Sequence, residues 1–273
     1  KPIKIAQDQG VDVIVLDHHQ SDVKLPNALA IINPNRFDDK SNLNYLCAAG
    51  VTFMFLVSTN KELRLKDWFN KKKILEPNLI NYLDLVTLGT ICDVVPLIGL
   101  NRAIVKQGLK VLGTRKNLGI KTLLNVCDVE NNPNVYDIGY LLGPRINAGG
   151  RVGKSSHGAN LLLNKDPREA YRIASELNEY NKERQILEKD VLEKILKVAD
   201  KNLLDPVLLI SGKDWHEGVI GIAAARIKDK FNKPVIIISV EGNIGKASAR
   251  SIVGFDIGSV IISATQEKIL LKG

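Results

Sequence analysis

Cysteine is scarce in this chain. Three residues, Cys47, Cys92 and Cys127, are scattered over 273 positions, and none belongs to a Cys-x-x-Cys pair. An odd, widely spaced set excludes a disulfide framework and a zinc ribbon, and it points to a reducing cytoplasm. Long apolar runs are missing too. The longest, such as residues 235–240, fall far short of the ~18 residues of a membrane-spanning helix. No secretory signal is legible, and neither an internal repeat nor a low-complexity segment interrupts the pattern.

What is present is ordinary for a globular protein: 45% apolar and 25% charged residues. The length suggests two domains, with enough chain to bury about three-quarters of the unfolded surface. Thirty-eight basic against thirty acidic side chains leave a net charge of +8. That points mildly to a polyanionic partner, although a solvated Lys-rich surface has the same signature. The sequence opens on Lys1 and closes on Leu271-Lys272-Gly273, and it reads as a piece of something longer.

Residues 11–16 are β-branched and mostly apolar after Gly10, which predicts a buried strand of a parallel sheet. Residues 28–32 repeat the pattern and stop at Asn33-Pro34. Helical spacing follows at 48–63, 77–92 and 101–112. Strands alternating with helices predict α/β architecture. Six glycines crowd residues 139–158, which read as a structured loop. Asp166-Pro167-Arg168-Glu169 is a helix start with a cap and a capping-box Glu. The helix should run some 35 residues, about 50 Å, with one interruption near 181–184. From Pro206 a β-α-β-β-α order predicts a small second domain.

Five motifs carry candidate chemistry. Asp17-His18-His19 follows the first strand at once. Ligand sites of open α/β sheets lie beyond the carboxyl ends of strands, and paired His can bind a metal while a neighbour orients the ring; a polar loop is the plainer reading. Asp93 ends an apolar helix, where a buried carboxylate needs a metal, an Arg or a helix end as partner. In Gly143-Pro144-Arg145-Ile146-Asn147-Ala148-Gly149-Gly150-Arg151, glycines can bring backbone N–H groups to a phosphate and two Arg can clamp it, unless the stretch is only a turn with surface charge. Trp215 and His216 precede a Gly-rich helix start, a place for an anion and a stacked base, or for a packed Trp. Alternation in Gly245-Lys246-Ala247-Ser248-Ala249-Arg250-Ser251 sets Lys246, Ser248 and Arg250 on one strand face, a phosphate cradle or a solvated edge.

Taken in order, these five motifs closely resemble the RecJ branch of the DHH phosphoesterase superfamily over essentially the whole chain. The resemblance implies an α/β fold: a parallel-sheet DHH domain at 1–115, a glycine- and arginine-rich connecting region at 116–165, a long helix at 166–202 and a smaller DHHA1 domain at 203–273. It implies a single-strand-specific exonuclease that works from the 5′ end and releases mononucleotides, in DNA repair and recombination. Two divalent ions, Mn²⁺ or Mg²⁺, serve such enzymes in hydrolysis. By similarity, His18, His19 and Asp93 belong to the metal site, with Asp17 beside them, and His216 lies near the scissile phosphate. Arg145, Asn147, Arg151, Trp215, His216, Lys246, Ser248, Arg250 and Ser251 would hold the strand. Single-stranded DNA is the implied partner, with a single-strand-binding protein and a helicase as protein partners and no membrane.

The chain departs from the family pattern. No Asp-x-Asp motif occurs anywhere in it, and neither the lone Asp that precedes the DHH motif nor the Gly-Gly-His segment that follows the DHHA1 strands lies within it. The expectation is weak metal binding and little hydrolysis by these 273 residues alone. A phosphodiesterase of short oligonucleotides or cyclic dinucleotides, and a non-catalytic nucleic-acid-binding relative, are the competing readings.

Overall fold

The computed structural model describes residues 2–199 and 204–273. They form two compact units, Lys1–Pro144 with Leu161–Ala174, and Arg145–Asn160 with Ser175–Gly273. Among the described residues no helix is long and apolar enough to cross a membrane.

In the first unit a short helix α1 (Pro2–Asp8) ends before Gly10, whose φ of +74° suits glycine. Strands β1 (Ile14–Leu16) and β2 (Ala30–Ile32) then pair in parallel, Ile14 opposite Ala30 and Leu16 opposite Ile32. The parallel pairing agrees with the sequence pattern; the burial does not. Ile14 is 48% exposed, because two strands with little packed on their faces cannot bury their side chains as a fully covered parallel sheet does.

Helices supply the core instead. They are α2 (Ala48–Leu65), α3 (Trp68–Lys72), α4 (Leu83–Cys92), α5 (Gly99–Gly113) and α6 (Leu118–Val126). The expected helix at 77–92 starts later, at α4. Asn78 accepts the Ile80 N–H, and a 3₁₀ turn at Leu79–Tyr82 intervenes. Leu83, Val86, Leu88 and Ile91 of α4 are buried, and the Thr87 hydroxyl donates to the Ile104 carbonyl of α5. Cys47, Cys92 and Cys127, the last at the C-cap of α6, form no disulfide.

Asp84, in the first turn of α4, is also buried. Burial pushes its carboxyl above the usual range, against the hydrogen bond from the Leu85 N–H. The native state therefore holds this proton at a pH where the unfolded chain has lost it, so stability falls as pH rises through that window. Asp84→Asn is expected to raise Tm at neutral pH, with the gain shrinking in acid below the ordinary carboxylate range. Thermal melts at several pH values check this; a gain that is constant with pH would remove the charge as its cause.

Residues 139–158 differ from expectation most. They are not a loop. A π-helical stretch (Asp137–Leu142) runs directly into α7 (Gly143–Val152), and α8 (His157–Leu163) follows. The glycines serve close packing: a Cβ on Gly149 would lie 2.8 Å from the Lys154 carbonyl oxygen and 3.2 Å from Leu177.

The second unit takes most of α9 (Pro167–Ala199), which is unbroken over 33 residues. The interruption expected near 181–184 does not occur. Asn181 is buried, and its Oδ1 accepts from Arg184 at 3.1 and 3.3 Å, so two polar residues satisfy each other on one helix face. Strand β3 (Leu208–Lys213) pairs in parallel with β4 (Val235–Glu241), and β4 pairs antiparallel with β5 (Ile244–Arg250). The parallel pair needs a crossover, which is helix α10 (Glu217–Phe231). Helix α11 (Ile257–Gln266) closes the unit, capped by Asp256. Leu208, Ile210, Val219, Ala223, Ile227, Val235 and Ile237 form its core with Val191 and Ile195 of α9.

Candidate functional site

In the first unit the candidate site gathers at the carboxyl ends of β1 and β2. Asp17 follows β1 immediately, and its N–H donates to the Ile32 carbonyl. Its Oδ1 accepts three hydrogen bonds: the His18 N–H at 2.7 Å, the His19 N–H at 3.2 Å and His19 Nδ1 at 2.7 Å. Burial works against the Asp17 charge, but the His19 ring and the two backbone donors outweigh it and hold the carboxyl below its usual range. Asp17 therefore orients His19, and it leaves Nε2 of that exposed ring facing outward. His18 Nδ1 stands 3.5 Å from Asp93 Oδ2, a charge contact too long for a good hydrogen bond.

Asp93 corrects the burial argument made from sequence. It is the C-cap of α4 and its side chain is 39% exposed, not enclosed among apolar residues. Val94 next to it has φ +58°, a left-handed conformation that a β-branched side chain adopts only under constraint. Cys92 on the other side is a poor nucleophile: burial, then the Asp93 charge and Cys47, push its thiol up to about 11.

Two site residues escaped sequence reasoning. Buried Asn33 donates to the His19 carbonyl at 2.9 Å, and Asn35 donates to the His18 carbonyl at 2.6 Å. Both asparagines follow β2, the parallel neighbour of β1, so the shared strand polarity was the available signal.

Among the described residues, no three His, Cys, Asp or Glu side chains converge to hold a metal ion. The first unit offers two oriented pairs, Asp17–His19 and Asp93–His18, not a complete centre.

The second unit carries a cavity of about 710 Å³ lined by Asn147, Gly150 and Arg151 of α7, Glu217, Gly218, Ile220 and Gly221 of α10, and Lys246, Ala247 and Ser248 of β5. Because the 143–151 segment is helical, Asn147, Gly150 and Arg151 share one face by their i, i+3, i+4 spacing. The same geometry turns Arg145 away, and its Nε donates to Asn178 of α9 at 2.9 Å. Arg145 is not among the residues that line the cavity, and a helix replaces the expected cradle of loop N–H groups. A Cβ on Gly218 would meet the Arg151 carbonyl oxygen at 2.5 Å, so glycine is what lets α7 approach α10. Arg151 Nη1 donates to the Gly218 carbonyl. Partial burial, then repulsion from Arg184 and Arg250, pull the Arg151 guanidinium below its ordinary value, with Glu188 opposing.

On β5, Ser248 Oγ and Arg250 Nη2 lie 3.1 and 3.8 Å from where a Gly221 Cβ would stand. Lys246 is already paired with Glu217. Ser251 falls off the alternation and its hydroxyl donates to the Phe255 carbonyl, closing the turn before α11. His216 is the exposed N-cap of α10, its Nδ1 accepting the Gly218 N–H at 3.1 Å. Trp215 is a correction. It is 7% exposed in the core of the second unit and packed on Gly212, so it offers no face to a base.

Comparison with known proteins accords with this division. Residues 1–90 match the DHH family, N-terminal domain, and residues 200–268 match the DHHA1 domain. The single-stranded-DNA-specific exonuclease RecJ of Salmonella typhimurium is 40% identical over 257 residues, covering 91% of this chain and 44% of that protein. RecJ from Thermus thermophilus, solved with Mn²⁺, superposes with a TM-score of 0.79 at 31% identity over 97% of this chain and 37% of the other. Its Mg²⁺ complex gives 0.74 at 31% identity, over 94% and 37%. The chain spans less than half the length of curated relatives that it matches. Residues 1–90 thus carry a DHH-family N-terminal domain and residues 200–268 a DHHA1 domain, and the chain is similar to RecJ along most of its length.

Proposed function

We propose that this chain is the core of a single-strand-specific DNA exonuclease that works 5′ to 3′ and releases mononucleotides, in repair and recombination. The observation that carries the reading is the cavity of the second unit, where Arg151, Ser248 and Arg250 gather beside glycines of α10. Glycine faces let a phosphate approach closely, and guanidinium forks bind its oxygens bidentately. Asn147 adds a neutral donor to the lining, and His216 caps the helix that forms one side of it. In solution single-stranded DNA is the partner, and a helicase and a single-strand-binding protein would present it. The cytoplasm is the compartment we assign.

Divalent metal belongs to the proposal through the relatives. His18, His19 and Asp93 are the donors available here, with Asp17, Asn33 and Asn35 holding the histidines in place. As no three converge among the described residues, this donor set does not by itself fit an ion that prefers about six ligands. The same observation favours a second reading, a non-catalytic strand-binding relative.

The test is a Mn²⁺ titration with a 5′-phosphorylated, end-labelled single strand and a blunt duplex as control. We expect the strand to bind in preference to duplex, with a loss of affinity when the 5′ phosphate is removed, and little hydrolysis by these 273 residues. Equal binding of duplex would overturn single-strand specificity. Rapid Mn²⁺-dependent hydrolysis would overturn the donor-set argument and remove the non-catalytic reading.

A further inference from the structure

One feature of the second unit exceeds what a single phosphate pocket requires. Glu188 of α9 is a carboxylate with only 5% of its side chain exposed. An unpaired buried charge is costly, and one arginine would neutralise it. Glu188 has two. Its Oε2 takes Arg184 Nη1 at 2.5 Å, one turn earlier on α9, and its Oε1 takes Arg226 Nε of α10 at 2.5 Å. Arg151 stands within electrostatic reach of Arg184, Glu188 and Arg250. Two guanidinium groups thus contact one carboxylate, a third lies within electrostatic reach of it, and Arg250 stands near that third. Their mutual repulsion persists in the folded state, and an anion would relieve it.

Arg226 is the member placed to receive that anion. Its Nε is paired with Glu188, and its side chain is 61% exposed, whereas Arg184 is 12% exposed and further tied to Asn181. A guanidinium fixed at Nε presents its two Nη groups as a preorganised fork, which suits a phosphate better than a mobile lysine does. Arg226 also lies on α10, the helix whose first turns line the phosphate cavity.

We propose that Arg226, aimed by the buried carboxylate of Glu188, is a further phosphodiester contact for the single strand, one that continues the cavity along α10. Glu188 is accordingly a positioning residue. The inference rests on the strand-binding reading given above.

The test measures affinity for a 5′-phosphorylated oligothymidylate by fluorescence anisotropy across a range of salt, on the whole chain without divalent cation. Loss of one phosphate contact lowers the slope of log K against log salt by about 0.7 for a single strand. Arg226→Gln is expected to weaken binding about tenfold, as for a lost charged hydrogen bond, and to lower the slope by that amount. Arg226→Lys should recover the slope but not all the affinity. Glu188→Gln removes a buried negative charge and makes the unit more positive, so simple attraction predicts tighter binding; positioning predicts weaker binding. A Glu188→Gln chain that binds more tightly overturns the positioning role. An Arg226→Gln chain with unchanged affinity and slope overturns the contact, and if Arg151→Gln still lowers both, only this inference falls. Should the unmodified chain show no salt-dependent strand binding, the strand-binding reading fails and this one with it.

Discussion

Arg250→Ala is expected to weaken binding of a 5′-phosphorylated single strand by ~1–3 kcal/mol, roughly five- to 150-fold, the range for a lost hydrogen bond to a charged group. The position argues for the upper part of that range. Arg250 ends β5 opposite Val235 of β4, a residue buried in the core, so its backbone is fixed before the strand arrives. Its guanidinium lies beside Gly221 of α10 and within electrostatic reach of Arg151. Little ordering is then left for the moment of binding, and preorganised contacts keep more of their gross energy. Lys246→Ala is the contrasting case. Glu217 already pairs with Lys246 at an exposed site, so a smaller loss is expected there. Anisotropy titrations with and without the terminal phosphate separate the possibilities. If Arg250→Ala weakens both strands equally, Arg250 contacts the backbone rather than the 5′ end. If neither changes, it leaves the proposed cavity.

The legible part of the fold was the part governed by periodicity and by local chemistry. Alternation in residues 244–250 foretold that Ser248 and Arg250 would share a face, and β5 places both beside Gly221. Asp166 and Pro167 marked the start of α9 to within a residue. What failed did so for identifiable physical reasons. Six glycines between 139 and 158 signal a loop when intrinsic propensity is the guide, yet here close helix packing overrides it, as the approach of α7 to Lys154 and Leu177 shows. The helix also turns Arg145 toward Asn178 rather than setting it on one face with Asn147 and Arg151. Trp215 misled because an aromatic beside a polar loop looks the same in sequence whether it stacks on a base or on Gly212. Asn33, Asn35 and Glu188 were invisible because their roles are contacts to residues 14 or more positions away in sequence, or to a partner on another helix.

Gly108→Ala is expected to be among the most damaging single substitutions in the first unit. Elsewhere in a helix the change is favourable by up to about 1 kcal/mol. At position 108 of α5 the added Cβ would stand 1.8 Å from Thr87 Oγ1 and 2.4 Å from the Leu83 carbonyl oxygen of α4. The hydroxyl can rotate away, but the carbonyl belongs to the helix backbone and cannot. The two helices must separate, which loosens Leu83, Val86 and Ile104 at their shared core. Overpacking of this kind typically costs about 1–3 kcal/mol, and a backbone clash belongs at the top of that range even after the propensity gain. For a domain of this size about 3 kcal/mol lowers Tm by roughly 6–12 °C. A functional effect is expected to accompany it, because α4 ends at Asp93 and its displacement moves that carboxylate relative to His18. Gly150→Ala is the control: it too is helical, and nothing lies within 4 Å of its added Cβ, so its Tm should stay level or rise slightly. Thermal melts of the two variants decide the matter. Equal melting temperatures would mean that α4 and α5 have room to spare at their crossing, and that the register linking this packing to Asp93 is looser than the contact between Gly108 and Leu83 implies.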